Sequence, residues 1–160
     1  MVDRLTLELR RADGLTITDD RNRLDIDRIC NWLADSYWAG DRERPVVERS
    51  LANSMPFGVY APDGEHVALA RAITDESSFA WLADVVVDPS WRGRGIGTWL
   101  VASVVEHLSG MGVPRFLLAT RDAHEVYERV GFGPLRVPEI WMEIDTRQNR
   151  PDPDDVHPHR

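Results

Sequence analysis

VVVDPSWRGRGIGTWLVASVVEHL, residues 85–108, reads as a strand that runs into a helix through a turn of glycine and arginine. The valines lead into Asp88-Pro89, and a proline, having no N–H for a ladder, ends the strand there. From about 94 to 108, Ile96, Leu100 and Val104 fall on one helical line, with Val101, Val105 and Leu108 beside it. The first turn of a helix has unpaired N–H groups and a partial positive charge, which together make an anion site. Gly93, Gly95 and Gly97 leave that backbone uncovered and permit angles that other residues resist. Arg92 and Arg94 add formal charge at the same point. The target this turn points to is a phosphate or pyrophosphate.

Two common phosphate motifs do not fit. A P-loop needs lysine and then serine or threonine after its last glycine, and here Thr98 follows Gly97 directly. A dinucleotide fingerprint needs G-x-G-x-x-G, and here the spacing is G-x-G-x-G, with no acidic residue ending a second parallel strand.

Outward from this turn the chain alternates strand and helix patterns. Upstream, SSFAWLADVVVDP is a strand, and PFGVYAPDGEHVALARAIT is two strands joined at Pro62-Asp63-Gly64. RLTLELR and GLTIT, separated by Asp13-Gly14, alternate as strands. Between them and the hairpin, Ile26, Ile29, Cys30, Leu33 and Tyr37 predict a helix over 25–38, with Asp19 or Asp20 capping the turn before it. Pro45 suits the first turn of a second short helix through VVERSLAN. Downstream, RFLLAT is a short buried strand, RDAHEVYERV is a helix stopping at Gly131, and FGPLRV and EIWMEID are two closing strands. The unit over about 79–120 supplies a parallel crossing. The fold class is α/β: a single domain over 1–146 with a mixed, mostly antiparallel sheet flanked by helices. The tail, 147–160, has no apolar periodicity and is expected to be disordered.

The 160 residues fit one domain with a real core, and no apolar run is long enough for a membrane span. The opening MVDRLTLELR carries no signal-peptide core, and Cys30 is the only cysteine, so a cytoplasmic location is expected. Cys30 reads as a small core residue. A net charge of -8 argues against broad nucleic-acid binding and is mildly favourable to cationic substrates. His157 and His159 read as solvated tail residues, and no metal is expected.

R-x-x-G-x-G, filled by Arg92, Gly95 and Gly97 after a strand ending Val87 to Pro89, resembles the cofactor loop of the GNAT superfamily, the acyl-coenzyme A-dependent N-acyltransferases. DAHEVYERVGF resembles that family's A-x-x-x-Y-x-x-x-G-F ending, with Ala123, Tyr127, Gly131 and Phe132 in its places. The resemblance covers about 55–145 well and 15–55 loosely. It implies acetyl-coenzyme A as cosubstrate, with the pyrophosphate on Arg92, Gly93, Arg94, Gly95, Ile96, Gly97 and Thr98. The pantetheine arm would pair with backbone at Val85 and Val87. Thr120 stands where many members carry a cofactor-side asparagine, which puts one polar contact in doubt. The resemblance also implies that Tyr127 protonates the departing thiolate, that a primary amine on a small molecule or peptide is the acceptor, and that EIWMEI is a candidate homodimer interface. A coenzyme A-binding sensor or scaffold without turnover is the alternative.

Acyl transfer further needs a base and an oxyanion donor. Asp84, sharing a strand face with Leu82 and Val86, would have a raised pKa or a partner such as Arg71. It is a candidate base, amine-binding group or structural ion pair, while an N–H near Val85 could steady the oxyanion. His124 shares the helix of Tyr127 but reads as a surface residue, as do Glu125 and His107. DSYWAGDRERP is expected to line the acceptor pocket, with Tyr37 and Trp38 as walls and Asp35, Asp41 or Glu43 attracting an amine. Trp81 and Trp141 are further candidates.

Overall fold

The structure is a computed structural model and describes residues 6–148. The chain divides into two compact units, one ending at Leu118 and one beginning at Ala119. The first unit is a six-stranded sheet in simple sequence order: β1 (Glu8–Arg10), β2 (Thr16–Thr18), β3 (Met55–Tyr60), β4 (His66–Thr74), β5 (Ala80–Val87) and β6 (Phe116–Leu117). Neighbours pair antiparallel until the last pair, where β5 and β6 run parallel, Ala80 opposite Phe116. The parallel pair needs a crossover, and α3 (Ile96–Gly110) supplies it.

Helices cover both faces. Leu69 of β4 and Val86 of β5 pack with Ile29, Trp32 and Leu33 of α1 (Ile26–Ala34) and with Val47 and Leu51 of α2 (Arg44–Ala52). Phe57, opposite Ala70 and therefore on the other face, meets His107 of α3 edge-on at 6.0 Å. Leu100, Val101, Val104 and Leu108 of α3 are buried, each contributing roughly 1.5–3 kcal/mol by leaving water. His107 is thus a packing residue, and the solvated reading from sequence is corrected. Cys30 is half-buried against the α1–α2 cluster, and burial raises its thiol pKa.

Local chemistry sets the helix ends. The Asp25 carboxylate accepts from the Arg28 N–H at 3.0 Å and opens α1. Asp20 caps the short 3-10 turn Arg21–Arg23 that precedes α1, one of the two caps expected from sequence. The apolar spacing predicts α1 to Trp38, but the helix stops at Ala34. The N–H and hydroxyl of Ser36 both donate to the Leu33 carbonyl, at 3.0 and 2.7 Å, which satisfies the helix end and turns the chain. Residues 35–43 are therefore a loop, free to reach the sheet.

The second unit holds α4 (His124–Glu128) and a 3-10 turn at Pro138–Ile140. FGPLRV and EIWMEID form no ladder, which corrects the two closing strands expected from sequence. Pro134 and Pro138 remove donors, and Pro138 opens the 3-10 turn. Beyond it, Met142 and Ile144 are 96% and 94% exposed. Residues 149–160 lie outside the described residues, and with them most of the expected tail, including His157 and His159. Among the described residues no helix is long and apolar enough to cross a membrane.

Candidate active site

The glycine–arginine turn has a built foundation. Asp88 follows β5 and accepts from the Ser90 N–H at 2.9 Å, the Ser90 hydroxyl at 2.6 Å and Trp32 Nε1 at 3.0 Å. Burial would raise its pKa, but these donors and the Arg28 guanidinium outweigh that and hold it near 2. Beyond the 3-10 turn Pro89–Trp91, Gly93 and Gly95 take φ of +77° and +69°, where side chains with a Cβ are disfavoured. Gly95 is the N-cap of α3, and no side chain caps that helix. No atom lies within 4 Å of where a Cβ would stand at Gly93 or Gly95. The first-turn N–H groups of Ile96, Gly97 and Thr98 follow this open glycine turn with no side-chain cap.

The arginines frame this opening. Arg92 Nε donates to the Val87 carbonyl at 3.2 Å, and Arg94 lies over the Trp91 ring at 4.5 Å. Arg11, in the β1–β2 turn, donates to the Arg94 carbonyl at 3.2 Å and stacks over Trp99 at 5.1 Å. Eighty-three positions separate Arg11 from Arg94, and no local signal in the sequence links them. Uncapped N–H groups, uncovered backbone and two exposed guanidiniums fit a pyrophosphate. Ile96 is 2% exposed, so only its backbone can contribute to such a site.

The edge of the opening is a bulge. Leu69 pairs with Val86 and Arg71 with Ala83, so Ala70 faces both Asp84 and Val85. Asp84 has φ +51°. A non-glycine residue there stores strain, which persists only when its surroundings hold it. Its carboxylate is what holds it. Arg42 Nη1 donates to both oxygens, at 2.9 and 2.8 Å, Arg71 Nε to Oδ2 at 2.8 Å and Trp38 Nε1 to Oδ1 at 3.0 Å. The Arg71 Nη1 also reaches the Ser54 hydroxyl at 3.4 Å. Burial pushes the Asp84 pKa up, but Arg71 and Arg42 outweigh it and the result is a lowered pKa. Of the readings open to Asp84 in sequence, the arginine partnership is the one this geometry takes. Arg42 was missed, because nothing in DRERP marks which arginine turns inward.

The aromatic candidates separate. Tyr37 meets Trp38 edge-on at 5.0 Å beside Asp84. Trp81 is half-buried in β5, opposite Ile73 and Leu117. Asp35, Asp41 and Glu43 are exposed, and none of them joins the Asp84 cluster. Trp141, in the second unit, is 37% exposed. In that unit the Thr120 hydroxyl oxygen accepts from the Ala123 N–H at 3.1 Å, and so shapes the entry to α4. Tyr127 is half-buried on α4 and meets Phe132 edge-on at 6.0 Å, while His124 and Glu125 are exposed. Among the described residues no three His, Cys, Asp or Glu side chains converge on a metal position.

An open helix N-terminus beside a bulged strand is an arrangement for a phosphate-bearing ligand laid along a sheet. The sequence model of the Acetyltransferase (GNAT) family matches residues 26–132, and the chain belongs to that family. A Gibberella zeae protein classed as an acetyltransferase is 30% identical over 137 residues, which span 73% of this chain and 77% of that protein. A crystal structure of a GNAT-family acetyltransferase from Xanthomonas campestris superposes with a TM-score of 0.77 at 41% identity, covering 82% of this chain and 93% of that one. N-acetylglutamate synthase from Neisseria gonorrhoeae, solved with coenzyme A and N-acetyl-glutamate, shares the fold with a TM-score of 0.63 at 20% identity, over 76% of this chain and 28% of its own.

Proposed function

We propose that this acetyltransferase moves an acetyl group from acetyl-coenzyme A to a primary amine by direct attack in a ternary complex, with residues 1–146 as its domain. The observation that carries the reading is the uncapped start of α3, where Gly93 and Gly95 leave the backbone open between Arg92 and Arg94. The N–H groups of Ile96, Gly97 and Thr98 hold the pyrophosphate, with the two guanidiniums lowering the cost of its charge. Acetyl-coenzyme A, when bound, supplies the activated acyl group as a thioester.

Val85 and Val87 offer main-chain groups to the pantetheine arm. The bulge takes the backbone of Asp84 and Val85 out of regular pairing, so the Val85 N–H serves as donor to an oxyanion. Tyr127 is the proposed acid for the departing thiolate, supported by its motif, Ala123 to Phe132. Asp84 is a positioning residue: it fixes Arg42, Arg71 and Trp38 and holds the bulge in its strained conformation. Tyr37 and Trp38 form a wall of the acceptor site.

Thiol release from acetyl-coenzyme A over a panel of amines tests the reading, with calorimetry of coenzyme A binding in parallel. Turnover of an amine, with tight cofactor binding, is the expected result. Binding without turnover over the whole panel makes the protein a coenzyme A sensor or scaffold. No binding removes both.

A further inference from the structure

The Asp84 cluster carries one carboxylate and two guanidiniums, and so a net positive charge in a chain whose total is -8. Its carboxylate accepts four hydrogen bonds, two on each oxygen, and has nothing left for a substrate ammonium. A cationic acceptor anchored on Asp84 is therefore disfavoured.

Arg42 is only partly used. Both of its bonds to Asp84 come from Nη1. Its Nε and Nη2 have no hydrogen-bond partner among the described residues, and its side chain is 26% exposed where Arg71 is 8%. Nε–H and Nη2–H lie parallel on one side of the guanidinium, and that side-on pair matches the two oxygens of a carboxylate or phosphate. Asp84 fixes the group through Nη1 and leaves this fork presented, next to the bulge at Val85.

We propose that the side-on face of Arg42 binds an oxyanion on the acceptor, so that the acceptor is a small amine that also carries a carboxylate or phosphate. The proposal rests on the acetyltransferase reading of this site. It reverses the expectation that the exposed acidic residues of 35–43 draw in a simple cation.

The test uses matched acceptors: α-amino acids against their α-amides, and an amino-sugar phosphate against the free amino sugar. Thiol release is measured with acetyl-coenzyme A, and calorimetry follows acceptor binding to the coenzyme A complex. The charged member of one pair is expected to show a kcat/KM roughly 10- to 100-fold higher, the range for a hydrogen-bonded charged group. Which pair responds distinguishes carboxylate from phosphate. Arg42→Gln is expected to raise the KM of the charged acceptor and weaken its calorimetric binding, leaving coenzyme A affinity intact. Arg42→Lys keeps a cation for Asp84 and removes only the fork, so it guards against a folding defect. It is expected to hold the melting temperature and bring the charged-to-neutral ratio towards one. Equal use of both members of every pair, or a full preference retained in Arg42→Lys, overturns the proposal and leaves the acetyltransferase intact. Failure of the parent chain to bind coenzyme A overturns both.

Discussion

Asp84 shows how much one side chain can be asked to hold. Its backbone sits at φ +51°, and its carboxylate ties the 35–43 loop to β4 through Arg42, Trp38 and Arg71. Removing the charge by Asp84→Asn leaves Arg71 buried without its counterion, and breaking a buried pair costs about 3 kcal/mol or more. A clear fall in melting temperature is therefore expected, with a loss of acceptor affinity as the 35–43 loop loosens. Normal stability with a fall in the maximal rate alone would instead restore Asp84 as a base. Tyr127 is the contrasting case. Tyr127→Phe keeps the ring and its packing on Phe132 and removes the proton. A general acid is worth about 100- to 10,000-fold in rate. Turnover should fall in that range with coenzyme A affinity and melting temperature unchanged, and single-turnover kinetics would show it. Parent-like chemistry in the variant would return Tyr127 to packing alone.

At the scale of elements, the turn into α3 is shaped by backbone conformation more than by its side chains. A Cβ at Gly95 meets nothing within 4 Å beyond its chain neighbours, so the backbone cost of Gly95→Val is conformational, about 1–2 kcal/mol at φ +69°. The same side chain would fill the space in front of the first-turn N–H groups. Coenzyme A affinity should therefore collapse by more than the stability change explains. Arg92→Ala should cost about 1–3 kcal/mol of binding, as for a hydrogen bond to a charged group, and flatten the salt dependence. Calorimetry at two ionic strengths reads both, and unchanged affinity in both variants would remove the cofactor loop. The bulge in β5 works with this turn, because the two together interrupt both the ladder and the helix cap along one strand–helix connection.

On the scale of the whole molecule, one buried histidine contributes to the loss of stability in acid. His66 at the start of β4 is 3% exposed, stacked on Tyr60 at 4.7 Å, with Trp32 edge-on at 5.1 Å. Burial lowers its pKa from 6.5 to about 4. The unfolded chain therefore binds the proton more readily than the folded one. Stability from the neutral ring is complete above about pH 6.5 and is lost as pH falls from there towards about 4, by roughly 3 kcal/mol. That corresponds to about 10 °C in melting temperature for a chain of this size. Scans at neutral pH and at acid pH should show the parent losing more than His66→Gln, and equal losses would mean that other groups set the acid limb.

Most of the fold was legible because it rests on local rules. Apolar–polar alternation gave β1 and β2, the turn chemistry of Pro62-Asp63-Gly64 gave the β3–β4 hairpin, and the 3.6-residue line of Ile96, Leu100 and Val104 gave α3. The open glycine turn into α3 was legible for the same reason, since glycines at positive φ before a helix need no distant partner. The two late segments failed because a strand pattern does not supply a ladder partner, and Pro134 and Pro138 removed donors. The fate of Asp84 was decided by tertiary structure. Asp84 meets Arg42 and Trp38 across more than forty positions and Arg71 across thirteen. Arg11 reaches Arg94 from the opposite end of the unit's sequence. Charge pairing and desolvation depend on what folding brings within a few ångströms, and a sequence records charges without recording their neighbours.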